Sequence, residues 1–192
     1  MEIFDILDEK EDQVILHHLL SLQNKQAIHS ICDYGCGDGR LLKKLKRELP
    51  DGIKLTGIDY WSREHNNTSM PETEESITYI DNGSPEFGEF LKNTQFDLVF
   101  SSFALHHFSL PIKELKRLES LVAREGTLIL IDMYRDYTDV NKLADNVFFF
   151  NSQMMMALRG QFHHVPYTKE ETCDLLLALD MKITNQRVVP LD

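Results

Sequence analysis

The chain has 192 residues and a formal net charge of −11, with 31 acidic side chains against 20 basic ones. That length suits a single domain with a sizeable core, and the acidic balance opposes long-range attraction to nucleic acid or to an anionic membrane. Three cysteines, an acidic Met1-Glu2-Ile3-Phe4-Asp5 start and the lack of any apolar run of spanning length predict reduced thiols, no membrane span and a cytoplasmic protein.

Strand and helix patterns alternate along the chain, which predicts an α/β fold around a mostly parallel sheet with helices on both faces. Residues 1–27 form an N-terminal helical segment, with Val14, Ile15, Leu19 and Leu22 on one side of a helix over 12–24. A first strand runs from Ile28 to Asp33. A helix over 39–49 follows, ending at Pro50, with a turn at Asp51-Gly52. Its basic residues Lys43, Lys44, Lys46 and Arg47 read as a solvated face. Lys54–Asp59 is the second strand, 62–75 a polar crossover, Ile77–Asp81 the third strand and 85–93 a short helix. Phe96–Ser101 is near-continuously apolar, as a central parallel strand should be. A helix over 111–123 admits Pro111 in its first turn, and Glu125-Gly126 turns into a fifth strand, Thr127–Met133. Residues 138–166 are less regular. A last helix over 168–180 opens on a Thr168/Glu171 capping box and leads to a strand from Met181 to Val189.

The chemistry concentrates in Asp33-Tyr34-Gly35-Cys36-Gly37-Asp38-Gly39-Arg40. Strand, glycine turn and helix in that order make a nucleotide-binding turn, because a bare backbone lets a ligand lie against it. The spacing is G-x-G-x-G. Arg40 stands where the dinucleotide fingerprint needs its third glycine, and no Gly-Lys-Ser/Thr follows to make a P-loop. Asp33 would repel a pyrophosphate but suits the ammonium group of a methionine moiety, whose carboxylate can face the free amides of the next helix. These details favour S-adenosylmethionine (SAM). The plainer alternative is a glycine turn with no ligand. Cys32 and Cys36 are four apart, but no second Cys/His pair completes a zinc site.

The order of elements and the D-x-G-C-G-x-G motif resemble the class I SAM-dependent methyltransferases, and within them the small-molecule group of the ubiquinone/menaquinone-biosynthesis type. The resemblance spans residues from about 28 to 190 and implies a Rossmann-like, doubly wound sheet. It implies cofactor contacts at Asp33, Gly35, Cys36, Gly37 and Gly39. Asp59, about two dozen residues beyond Gly35, matches the carboxylate that accepts the ribose hydroxyls. Tyr60 and Trp61 stand where an aromatic side chain often meets adenine, although Trp61 also reads as ordinary partial core. Asp81 matches the acceptor for the adenine amino group, and the backbone amide of Asn82 the donor to a ring nitrogen. Ser101 and Ser102 open the segment that passes the methionine moiety. S-Adenosylhomocysteine (SAH) would be the product.

Methyl transfer from a sulfonium needs alignment and exclusion of water more than an acid, a base or a metal. A base helps only when the acceptor has a proton to lose. The candidates are His106, His107, Tyr134, His163 and His164, set against a role for the Leu-His-His segment in shaping the cofactor pocket. Residues 135–167, with Phe148–Phe150 and Met154–Met156, form a candidate acceptor-site segment, or else a core-facing helix.

The resemblance implies a small-molecule or peptide-linked acceptor. A silent binding or scaffold protein on the same fold is the first alternative. An RNA methyltransferase is opposed by the charge and by Ser101-Ser102-Phe103-Ala104 where an N/D-P-P-Y/F motif would stand. A nicotinamide oxidoreductase is opposed by Arg40 and Asp33. The family's sheet has seven strands, and the chain stops at Asp192 just after its sixth strand-like segment. The seventh strand is therefore absent, replaced by 181–190, or supplied by a partner. An open edge there favours a homodimer.

Overall fold

The fold is that of a computed structural model. It describes residues 3–23, 27–61, 69–72, 76–132, 167–180 and 182–184. Helix α1 (Ile3–Gln23) precedes β1 (Ser30–Tyr34), α2 (Arg40–Glu48), β2 (Lys54–Asp59) and β3 (Ile77–Asp81). Then come α3 (Phe87–Asn93), β4 (Phe96–Ser102), a single 3-10 turn (Leu105–His107), α4 (Pro111–Leu121), β5 (Val122–Ile131) and α5 (Lys169–Leu176). Among the described residues the five strands are all parallel and lie in the order β3-β2-β1-β4-β5. The order reverses between β1 and β4, and in open parallel sheets the ligand crevice lies outside the strand ends at such a reversal.

Side chains alternate across each strand and fill a core on either face. One core packs Ile31, Leu55, Ile77, Leu98 and Phe100 against Ile15 and Leu19 of α1 and Leu41, Leu42 and Leu45 of α2. The other packs Cys32, Tyr34, Ile58 and Val99 against Phe87 of α3 and Leu115, Leu118 and Leu121 of α4. Leu42 and Leu45 are wholly buried, each worth about 1.5–3 kcal/mol relative to exposure. That stripe fixes the rotation of α2 and so aims its N-terminus at the crevice.

Several boundaries depart from the sequence reading. Helix α1 starts at Ile3 rather than 12, since no Gly or Pro interrupts 3–23. Strand β5 starts at Val122, directly after α4. Val122 pairs with Phe96 and Thr127 with Leu98, so Glu125-Gly126 belongs to a bulge inside the strand rather than a turn before it. A Cβ on Gly126 would stand 2.9 Å from the Phe96 carbonyl oxygen, which is why glycine closes that bulge. Helix α5 stops at Leu176, four residues short of the expected end, while its Thr168/Glu171 capping box is present in both directions. Residues 182–184 are not in a strand. The remainder of the expected 181–189 strand lies outside the described residues, as does nearly all of the 135–167 segment.

Candidate functional site

The glycine turn lies at the reversal between β1 and β4. Gly35, Gly37 and Gly39 all take left-handed backbone, with φ of 87°, 56° and 75°. Gly35 and Gly39 are also sterically required: a Cβ on Gly35 would stand 2.5 Å from Ala104 Cβ, and one on Gly39 would strike the ring and hydroxyl of Tyr79. Gly37 is different, since nothing lies within 4 Å of the place a Cβ would occupy. Its open face is what a ligand-binding turn needs. The Gly35 and Cys36 amides donate to the Ile58 carbonyl at 2.7 and 3.2 Å, tying the turn to β2. Asp38 Oδ1 accepts from the Arg40 amide at 3.0 Å at the start of α2, whose N-cap is Gly39.

Asp33 shares the strand face of Ile31 and is 1% exposed. Its Oδ1 is buried and accepts no hydrogen bond. Burial raises its pKa well above the ordinary carboxylate value, and the nearby carboxylates of Asp59 and Asp12 push it the same way. A desolvated carboxyl oxygen with no donor is costly. It fits a cationic ligand group and does not fit a phosphate. Ser101 Oγ, across the crevice at the end of β4, is likewise buried with no hydrogen-bond partner. Ser102 is half-buried. Cys36 is buried in the turn, and its thiol pKa is raised by burial first and then by Asp33 and Asp59.

Asp59 ends β2, and its two carboxylate oxygens accept from the Gly37 and Tyr60 amides, each at 2.6 Å. It therefore braces the turn from the end of β2. Trp61 Nε1 donates to the Gly37 carbonyl at 3.1 Å, and the ring packs edge-on against Tyr79. This is the partial-core reading of Trp61, with an added role as a peg for the turn. Asp81 pairs in register with Asp59, and its Oδ1 accepts from the Gly83 amide at 2.9 Å. The Asn82 amide donates to the Asp59 carbonyl at 2.8 Å. The expectation that this amide stands free for a ring nitrogen is thus corrected, because the ladder between β2 and β3 continues one residue past β3. Beside Asp81, a hollow of about 340 Å³ is lined by Tyr79, Ile80, Ser84, Phe87 and Phe90.

The histidines separate. His106 is 3% exposed, with Nδ1 at 2.5 Å from Asp132 Oδ1 and its amide donating to Asp132 Oδ2 at 3.0 Å. His107 is exposed, its ring 4.0 Å from that of His106. Tyr134, His163 and His164 lie outside the described residues.

Three further residues shape the site without a sequence signal. Asp12 of α1 is buried and accepts from Arg40 Nη1 and, at 2.7 Å, from Lys44 Nζ. Lys44 is therefore a partner of the N-terminal helix and not part of a solvated face. Tyr34 donates its hydroxyl to Glu114 Oε2 at 2.5 Å, and Arg117 holds Glu114 at 2.8 Å. Asp132 is the third. All three pairings cross between elements, so no local spacing could disclose them.

The residues 8–179 match the family model of the methyltransferase domain, and the chain belongs to that family. Its sheet and crevice are those of the class I methyltransferase fold. The plantazolicin methyltransferase BamL has a similar structure, with 21% identity, a TM-score of 0.62, and coverage of 87% of this chain and 60% of that one. Its counterpart BpumL, in complex with SAH, gives 22% identity and a TM-score of 0.55, covering 89% of this chain and 62% of that one. Human N-acetylserotonin methyltransferase in complex with SAM gives 22% identity and a TM-score of 0.53, covering 79% and 41%. The chain thus spans about six tenths of the length of the plantazolicin methyltransferases. These matches carry the class and do not single out the ubiquinone/menaquinone-biosynthesis type. No curated protein sequence matches the chain. Among the described residues, no helix is long and apolar enough to cross a membrane.

Proposed function

We propose that this chain is a SAM-dependent methyltransferase acting on a small-molecule or peptide-linked acceptor. The observation that carries the reading is Asp33: a buried carboxyl oxygen without a donor, beside a glycine whose outer face is open. The SAH and SAM in the similar structures support the choice of cofactor. The desmethylPZN analogue held with SAH by BamL supports the acceptor class.

When bound, SAM supplies an activated methyl group on a positively charged sulfur. Asp33 receives the ammonium group, which compensates its buried charge. Asp59 receives the ribose hydroxyls from a position fixed by two backbone amides. Asp81, level with Asp59 on the next strand, faces the adenine end together with Tyr60. The Ser101–Ala104 wall closes the methionine side and excludes water. The acceptor approaches past the 3-10 turn, where His107 is exposed and His106 is buried against Asp132. In-line approach and desolvation then account for the rate.

Calorimetric titration with SAH tests the cofactor. Incubation with methyl-labelled SAM and a cell extract tests transfer. SAH binding together with label incorporation is expected. Tight SAH binding without transfer would favour a scaffold protein, and no response to SAH would refute the reading.

A further inference from the structure

Asp132, the first residue after β5, has no part in the cradle just described, yet three hydrogen bonds at this corner control one wall of it. Strand β4 stops at Ser102, and Phe103 then takes left-handed backbone at φ 51°. A non-glycine residue in that region is strained and persists only where its surroundings dictate it. Those surroundings are the end of β5. The Phe103 amide donates to the Ile131 carbonyl at 2.8 Å. Three residues on, His106 gives its backbone amide to Asp132 Oδ2 at 3.0 Å and meets Oδ1 through Nδ1 at 2.5 Å. The His106 side chain is 4% exposed and that of Asp132 11%, so water competes little for either bond.

Between these fastenings sits Ala104, the residue whose Cβ limits the approach of Gly35. The wall from Phe103 to His106 is thus held from behind by β5 and abuts the glycine turn in front. An ionised carboxylate only accepts, so this geometry places a proton on Nδ1 of His106 and leaves Nε2 as the ring's other nitrogen.

We propose that Asp132 is a positioning residue for the cofactor: by binding both donors of His106 it fixes the Nδ1-protonated ring and holds Phe103 and Ala104 against the glycine turn. The assignment rests on reading the crevice as a SAM site, and it concerns a residue outside the D-x-G-C-G-x-G motif.

Asp132→Asn preserves size but opposes one of the two donors with its own NH2 group. It is expected to bind SAH at least tenfold more weakly than the wild type in calorimetry well below its melting temperature. Long-range proton–nitrogen NMR of the ligand-free wild type is expected to show His106 with Nδ1 protonated, and the variant to lose that pattern. His106→Asn, which keeps a donor near the Nδ1 position, should stay within threefold of wild-type affinity. His106→Gln, whose amide reaches further out, should lose at least tenfold. This second pair decides the matter if Asp132→Asn does not fold. Normal wild-type binding with unmoved Asp132→Asn and His106→Gln affinities, or a ring protonated on Nε2 alone, would overturn the assignment of Asp132 and leave the cofactor reading intact. No wild-type response to SAH would overturn both.

Discussion

Gly35 and Gly37 separate what the turn needs from what a ligand needs, and alanine substitutions at the two should have opposite rank orders in stability and in binding. At Gly37 the backbone is left-handed at φ 56° but the space beside it is open. Gly37→Ala therefore pays only the backbone cost of an L-residue in that region, about 1–2 kcal/mol. For a chain of this size that lowers the melting temperature by about 2–8 °C. Gly35→Ala carries the same backbone cost at φ 87° and also drives its methyl to 2.5 Å from Ala104 Cβ. Overpacking of that kind adds about 1–3 kcal/mol, so Gly35→Ala should melt well below Gly37→Ala. Binding should reverse the penalty at Gly37. A methyl group on its open face occupies ligand space and should weaken SAH at least about tenfold, or ~1.4 kcal/mol. Gly37→Val should abolish binding in a protein that still melts cooperatively. Thermal melts and SAH calorimetry on the three variants measure both quantities. Wild-type SAH affinity in folded Gly37→Val would refute the reasoning, because the open face would then not be where the ligand lies.

Asp33→Asn should leave the ligand-free protein more stable at neutral pH while abolishing SAH binding. The folded-state pKa of Asp33 is raised, so the wild type loses stability as pH rises from about 3.9 through that pKa, and the variant should lack this loss. A less stable Asp33→Asn at pH 7 would count against the burial argument. Asp59→Ala removes the carboxylate that accepts from the Gly37 and Tyr60 amides, and should weaken SAH by about 2 kcal/mol or more; an unchanged dissociation constant would remove Asp59 from the site. Asp97 titrates in the opposite direction to Asp33. Its desolvation is outweighed by hydrogen bonds from the His29 amide and from the Ser30 hydroxyl and amide, which lower its pKa. Its contribution should be full above about pH 3.9 and vanish as pH falls through the lowered value. The gap in denaturation midpoint between wild type and Asp97→Asn should therefore close in acid, and a gap constant down to pH 2 would contradict this. Burial raises the Cys32 and Cys36 thiols, whereas Cys173 is half-buried. A disulfide reagent at pH 8 should modify Cys173 first, and equal rates at all three would show that the turn opens readily.

The strands β2 and β3 were legible to the residue, since Lys54–Asp59 and Ile77–Asp81 are β-rich runs bounded by turn residues and carboxylates. The capping box of α5 was legible because both partners lie within one turn. Glu125-Gly126 misled because a glycine after a polar residue looks alike in a turn and in a bulge; only the offset of β5 against β4 tells them apart. The position of the glycine turn between β1 and α2, and of Asp33 and Asp59 near the strand ends, could be read because residue type and spacing from the strand ends carry it. Asp12 and Asp132 could not, because their partners stand 28 and 26 residues away and meet them only once the helices and strands have packed. Lys44 illustrates the same limit. On α2 alone it belongs to a basic face, and only α1, laid across it, pairs it with the buried Asp12.

The three carboxylates near the turn also explain why the ligand should be cationic. Asp12 is answered by Arg40 and Lys44, and Asp59 by two backbone amides. Asp33 Oδ1 alone is left without a donor, although it is the most buried of the three positions in the crevice. A pyrophosphate laid on this turn would add charge of the same sign beside Asp33 and Asp59. Arg40, the cation next to the turn, already spends its charge on Asp12. An ammonium group meets the demand of Asp33 Oδ1 and lowers the repulsion among all three carboxylates at once. The fold therefore carries an electrostatic cost in its ligand-free state that binding relieves, and Asp33→Asn, by removing that cost in advance, should trade affinity for stability.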